Sequence, residues 1–278
     1  MKTYPVVLSI AGSDSSGGAG IQADIKTIAA LGGFAATAIT AITIQNTCGV
    51  RAIEPIKAEI VAGQIEAVLQ DLPVKAVKIG MIHSPIIVDV IEMQLRKYKP
   101  KFVVLDPVMV ATSKDKLIED ETIVKMVKQL FPLVDLITPN LDEATCLCGN
   151  KSIVSEKDML VAAQQLLHMG TKAVLIKGGH LTNNKLTDVL LTMGQDQPYL
   201  FQSERVDSRN LHGTGCTLSS AIATHLALDY DLAEAVRLSK QYIYQAINNG
   251  KDVSIGCGNG AVNHAFDPQK MKKINMNQ

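Results

Sequence analysis

Val6-Val7-Leu8-Ser9-Ile10-Ala11-Gly12-Ser13-Asp14 runs into Ser15-Ser16-Gly17-Gly18-Ala19-Gly20 and then into Ile21-Gln22-Ala23-Asp24. The apolar run Val6–Ala11 lacks strict alternation, as expected of a strand covered on both faces, and the glycines turn it into a segment of helical period, Ile21–Leu31. This strand, turn and helix make up the first part of a βαβ unit. The pattern repeats outward from it, with strands expected at Ala35–Ile44, Ala76–Ile79, Phe102–Leu105, Leu136–Thr138 and Ala173–Lys177. Between them lie helical segments near Ala58–Leu69, Pro85–Lys97, Glu121–Phe131, Leu141–Leu147 and Glu156–Leu167. Right-handed crossovers of this kind build a three-layer αβα sandwich around a mainly parallel sheet.

After Lys177 the pattern changes. Thr187–Thr192 and Tyr199–Arg205 flank the polar turn Gly194-Gln195-Asp196-Gln197-Pro198, which predicts an antiparallel hairpin at one sheet edge. Two helices near Gly215–Leu228 and Leu232–Asn248 and a glycine-rich coil, Gly256–Gly260, follow. No linker or repeat divides the chain, so residues 1–278 read as a single domain.

Lysine plus arginine equals aspartate plus glutamate at 27 each, with no long basic run, which argues against nucleic acid as a partner. Tryptophan is absent and aromatics are scarce, so base-stacking platforms are not expected either. The run Val6–Ile10 behind Lys2 is too short for a secretory signal, and no apolar stretch approaches the roughly 18 residues of a membrane helix. The five cysteines, Cys48, Cys146, Cys148, Cys216 and Cys257, form no C-x-x-C pair and no zinc spacing, which fits a reducing cytoplasm.

Open sheets of this type bind ligands beyond the carboxyl ends of their strands. Polar residues and glycines gather there: Gly12-Ser13-Asp14, Gln45-Asn46, Gly80-Met81, Asp106-Pro107, Pro139-Asn140 and Lys177-Gly178-Gly179-His180. Turns enrich the same residue types everywhere, but six successive strand ends on one rim point to a site.

The second glycine-rich stretch is His212-Gly213-Thr214-Gly215-Cys216-Thr217-Leu218-Ser219, which enters a helix marked by Leu218, Ala221, Ile222 and Leu226. Two glycines release a tight turn that aims free amides at one point, backed by the helix dipole, and such amides suit a phosphoryl group gaining negative charge. Cys216, in the first turn, is expected to have its thiolate favoured by the dipole and to accept a proton. The alternative is a loop with a small buried thiol that packs.

Ser15–Gly20 lacks the acidic partner of a dinucleotide fingerprint, Gly250-Lys251 lacks the rest of a Walker loop, and no G-x-S-x-G elbow occurs. The first glycine turn therefore allows either close approach to a ligand or a tight bend. Asp24 reads as a surface carboxylate favoured by the dipole of its helix, or as a group turned back into the site. Asn140 and Glu143 have capping-box spacing; alternatively Glu143 and Asp106 hold Mg²⁺ through water. Lys177 ends a strand either in solvent or as a point charge for nucleotide phosphates.

Taken in order, the motifs Ala11–Asp24, Gln45-Asn46-Thr47, Lys78-Ile79-Gly80-Met81, Asp106-Pro107-Val108-Met109, Thr138-Pro139-Asn140, Lys177–His180 and His212–Ser219 span nearly the whole chain. They resemble the ribokinase-like superfamily and, within it, the hydroxymethylpyrimidine/phosphomethylpyrimidine kinases of thiamine biosynthesis. The resemblance implies a ribokinase-like αβα sandwich with an antiparallel edge hairpin, and two successive phosphorylations by ATP with Mg²⁺. It implies Cys216 as the catalytic residue, where the wider superfamily carries aspartate, beside the anion loop of Gly213, Thr214 and Gly215. It further implies that Gln45 and Asp24 hydrogen-bond an aminopyrimidine lined by Gly12, Met81 and Val108, that Lys177 and Asn140 serve ATP, and that Asp106 and Glu143 serve the metal. A homodimer is implied as well. A pyridoxal kinase on the same scaffold is the nearest alternative, and a ligand-binding protein without turnover the more distant one.

Overall fold

The computed structural model describes residues 1–110, 117–149, 152–179, 185–195 and 197–275. In chain order the strands are β1 (Lys2–Thr3), β2 (Val6–Asp14), β3 (Phe34–Asn46), β4 (Gly49–Pro55), β5 (Val74–Ile79), β6 (Phe102–Leu105), β7 (Leu136–Ile137), β8 (Ala173–Ile176), β9 (Lys185–Thr192), β10 (Tyr199–Glu204) and β11 (Ile274–Asn275). The helices are α1 (Gly20–Ala30), α2 (Ala58–Asp71), α3 (Pro85–Tyr98), α4 (Asp120–Gln129), α5 (Leu141–Leu147), α6 (Glu156–Leu167), α7 (Thr214–Ala227) and α8 (Leu232–Asn248).

Nine strands form one sheet in the order β10-β9-β8-β7-β6-β5-β2-β3-β4. From β3 through β2, β5, β6 and β7 to β8 every neighbour is parallel, so their carboxyl ends share one rim. The expected hairpin is present as β9–β10 at one edge. Sequence reading missed a second antiparallel edge: β3 runs on to Asn46 and folds back through Thr47-Cys48 into β4. Arg51 and Glu54 break up the few apolar residues of β4, Val50, Ala52 and Ile53, and an edge strand open to solvent needs no longer apolar run.

Alternation along the central strands divides the core in two. Val6, Leu8 and Ile10 of β2, with Val77 and Ile79 of β5, face α2 to α6, whereas Val7 and Ala76 face α7 and α8. Helix α7 is buried from Thr217 to Ala227, and its many Ala, Ser and Thr residues let it lie against both α1 and the sheet. Close packing of this kind fixes the start of α7 over the rim.

Candidate active site

Gly213 caps α7 with φ 81°, and a Cβ there would fall 1.8 Å from the Gly18 carbonyl oxygen. Only glycine fits both the backbone angle and the space. A Cβ on Gly215 would lie 3.3 Å from Lys177 Nζ and 3.4 Å from Asp106 Oδ2, so the first turn of α7 opens onto that ion pair. Among the described residues the amides of Gly213, Gly215 and Cys216 meet no main-chain acceptor, while the Thr214 amide donates to Leu211 O at 3.3 Å. The expected anion loop therefore has one donor fewer than expected. Thr214 shapes the turn rather than offering its N–H.

Cys216 is partly exposed beside this loop, and the Gly20 N–H is directed at its sulfur. The dipole argument predicted a lowered thiol. Instead, removal from water pushes it up to about 11, with Asp24 and Asp106 adding to the rise and Lys78 opposing it. Burial and two nearby carboxylates outweigh Lys78 and the Gly20 amide. The resting group is the neutral thiol.

Asp24 is neither a surface carboxylate nor a group in the first turn of α1. It is fully buried, and both of its oxygens lie 2.9 Å from Lys78 Nζ; Ser9 Oγ donates to Oδ2 at 2.5 Å and Ser220 Oγ to Oδ1 at 2.6 Å. The direct contact with an aminopyrimidine expected for Asp24 is thereby corrected, because its lone pairs are engaged and no surface is left for a ligand. Burial alone would lower Lys78, but Asp24, Cys216 and Asp106 outweigh it and raise it. Lys78 went unassigned in the sequence. Its signal was a charge inside the apolar strand Ala76–Ile79.

The first glycine turn is occupied by the chain itself. The Asp14 carboxylate accepts from Ser16 N at 2.8 Å, Gly18 N at 3.1 Å, Ala19 N at 2.8 Å, the Ser16 hydroxyl and His212 Nε2 at 2.8 Å. Burial would raise this carboxyl, yet His212, Ser16 and Ala19 outweigh it and hold it near 2. Amides that a dinucleotide phosphate would need are thus taken.

On the far side of the Gly215 gap, Asp106 Oδ1 accepts from Lys177 Nζ and Thr138 Oγ1, each at 2.9 Å, and Glu143 Oε2 lies 3.9 Å from Lys177 Nζ. Asn140 and Glu143 form the capping box that their spacing suggested, with both reciprocal bonds at 2.8 Å. Burial raises Glu143 to about 7; Lys177 opposes this and Asp106 adds to it. For Asp106, burial is outweighed by Lys177 and Lys78, and its carboxyl is lowered; for Lys177, burial is outweighed by Asp106 and Glu143, and it is raised. Lys177 is thus mostly buried in an ion cluster. His180, the end of its motif, lies outside the described residues.

Residues of β3 and β4 and of the segments that follow β5 and β6 form a small apolar cluster of Ala41, Met81 and Leu117, with Val50, Ile53 and Val108 against it. A Cβ on Gly12 would sit 3.0 Å from Met81 Sδ, so glycine there leaves room for that side chain. The half-buried Gln45 spans Thr43 Oγ1 at 3.0 Å and His212 Nε2 at 3.4 Å. An apolar wall with a carboxamide at its edge suits a flat heteroaromatic ring. Leu117 and Val50, absent from the sequence assignment, carry no motif that would have marked them.

A mainly parallel sheet with two antiparallel edges, flanked by helices and carrying a glycine anion loop at the start of a buried helix, defines a ribokinase-like kinase. The phosphomethylpyrimidine kinase family model matches residues 14–263, and the chain belongs to that family. The hydroxymethylpyrimidine/phosphomethylpyrimidine kinase of Rhizobium meliloti (strain 1021) is 47% identical over 259 residues, covering 93% of this chain and 96% of that protein. A crystal structure of phosphomethylpyrimidine kinase from Clostridium difficile 630 shares 46% identity with a TM-score of 0.77, covering 87% of this chain and 99% of that one. An ADP complex of Bacillus subtilis pyridoxal kinase shares 33% identity with a TM-score of 0.86, covering 95% and 98%.

Proposed function

We propose that the enzyme phosphorylates 4-amino-5-hydroxymethyl-2-methylpyrimidine with ATP, and then phosphorylates the resulting monophosphate to the pyrophosphate used in thiamine biosynthesis. The observation that carries the reading is the Gly215 gap, where free amides of α7 face Lys177 and Asp106 with Cys216 alongside. Family membership names the substrate class.

In the first reaction the hydroxymethyl oxygen attacks the γ-phosphorus in line, the bond to the bridging oxygen breaks, and ADP leaves. The amides of Gly213, Gly215 and Cys216 steady the equatorial oxygens, and Lys177 neutralises phosphate charge. The alcohol proton passes to the Cys216 thiolate, the minority form that Lys78 and the Gly20 amide favour. Gln45 meets the ring edge, and Met81 and Val108 with Gly12 line its faces. Asn140, whose Oδ1 caps α5, would offer its side-chain NH2 to the nucleotide.

Among the described residues no group of three acidic, histidine or cysteine side chains is placed to hold a metal. Asp106 and Glu143 nonetheless converge on one cation already, Lys177, and two carboxylates plus water and phosphate oxygens suit Mg²⁺, which keeps much of its hydration. When bound there it would neutralise phosphate charge.

No helix among the described residues is long and apolar enough to cross a membrane. We place the enzyme in the cytoplasm, as a homodimer, with Ile42 and Ile44 of β3, both exposed, as apolar surface for a second copy. Light scattering tests the dimer. An ADP-release assay with hydroxymethylpyrimidine, its monophosphate and pyridoxal side by side tests the activity. Strong preference for pyridoxal overturns the substrate assignment.

A further inference from the structure

Asp14 and His212 belong to none of the steps above, yet they sit where four segments meet. His212, 6% exposed, donates from Nε2 to the Asp14 carboxylate at 2.8 Å, and Asp14 in turn orders the amides of the turn from Ser16 to Ala19. A Cβ on Gly18 would fall 2.3 Å from His212 Cδ2, so the ring lies directly on that turn. Its main chain donates to Gly260 O at 3.0 Å and bridges to Ala261, which joins the closing coil. Gln45 Nε2 at the end of β3 lies 3.4 Å from the same ring nitrogen. The next residue is Gly213, the cap of α7.

We propose that Asp14 and His212 are a pair of positioning residues: the carboxylate fixes the imidazole, and the imidazole, seated on the first glycine turn and one residue before Gly213, sets the anion-loop amides against the bound phosphoryl group. The inference rests on the function proposed above. Asp14 is ionised, so the His212 nitrogen facing it carries the hydrogen, and the ring cannot rotate without leaving a buried carboxylate short of a donor. Phosphoryl transfer depends mainly on placement, and small displacements of the donors cost large factors in rate.

The test uses full-length His212→Ala, His212→Gln, Asp14→Asn and the Asp14→Asn/His212→Ala double variant. For whichever alcohol the wild type phosphorylates, His212→Ala should lower kcat by about 10- to 100-fold and leave the alcohol KM within about threefold. His212→Gln, which offers an amide N–H in place of the imidazole, should recover most of the lost kcat. The double variant should lose no more than its worse single parent, since one unit is removed only once. Hydrogen exchange should quicken in the 14–20 and 212–219 peptides of His212→Ala and Asp14→Asn and stay unchanged elsewhere. Kinetics within twofold of wild type, losses that multiply in the double variant, a His212→Gln enzyme no better than His212→Ala, or unchanged exchange in those peptides would each overturn the pair. Should His212→Ala fail to fold, Asp14→Asn decides by the same readings. A wild type that phosphorylates neither hydroxymethylpyrimidine nor pyridoxal refutes the proposed function instead, and the exchange measurement still decides the pair.

Discussion

Lys78 holds Asp24 by two equal contacts of 2.9 Å in a space sealed from solvent. Breaking one partner of such a pair leaves a buried charge without compensation, whereas the intact pair adds little net stability. Asp24→Asn should therefore destabilise the fold by about 3–5 kcal/mol, read from urea unfolding. A loss below about 1 kcal/mol would show that water reaches the pair.

The two phosphorylations differ in what must be deprotonated. An alcohol gives up a proton as it is phosphorylated, whereas a phosphate monoester, with its second pKa at about 6, is already largely ionised at neutral pH. Cys216→Ala should lower kcat for hydroxymethylpyrimidine by about two to four orders of magnitude, and for the monophosphate by much less. Equal losses in both reactions would assign Cys216 to packing or positioning.

The same reasoning gives a pH profile. With the thiol pushed up to about 11, its ionised fraction rises about tenfold per pH unit across the neutral and mildly alkaline range. The rate of the first phosphorylation should climb with pH while the second stays nearly flat. A first phosphorylation independent of pH between neutrality and pH 9 would remove Cys216 as the proton acceptor.

Acid stability depends on groups of opposite sign. Burial holds His225 and His264 near 4, so the unfolded chain takes up their protons first, and stability falls as pH drops from about 6.5 toward 4. Glu143, raised to about 7, is protonated first in the folded state and offsets one of the two between pH 7 and 4.5. The net is one proton, about 1.4 kcal/mol per pH unit, and the melting temperature should fall accordingly below pH 6.5. In Glu143→Gln the fall should steepen toward two protons. A melting temperature that rises on acidification through this range would contradict these assignments.

Buried parallel strands and amphipathic helices write themselves plainly in a sequence, and Val6–Ala11, Phe102–Leu105 and Ala173–Lys177 lie where their apolar runs indicated. Gly213 and Gly215 were legible for a related reason, since a glycine pair before a helix has few other uses. The ionisation states were not legible. Whether Cys216 is favoured or disfavoured as a thiolate depends on Lys78, Asp24 and Asp106, which reach it from three other elements, and no local spacing encodes that balance. Asp24 was misread because helical period alone cannot say that its face meets Lys78 and Ser220. Strand β4 was missed because its partner, not its composition, makes it a strand.

The interlock of Gly18 with Gly213 joins two positions far apart in the chain, and the Asp14–His212 bond beside it spans 198 residues. During synthesis the amino-terminal turn emerges long before the segment that completes it, so a ribosome-bound chain that stops short of α7 has a sheet but no phosphate cradle. Assembly of the cradle is thereby deferred until the segment from His212 onward has been made.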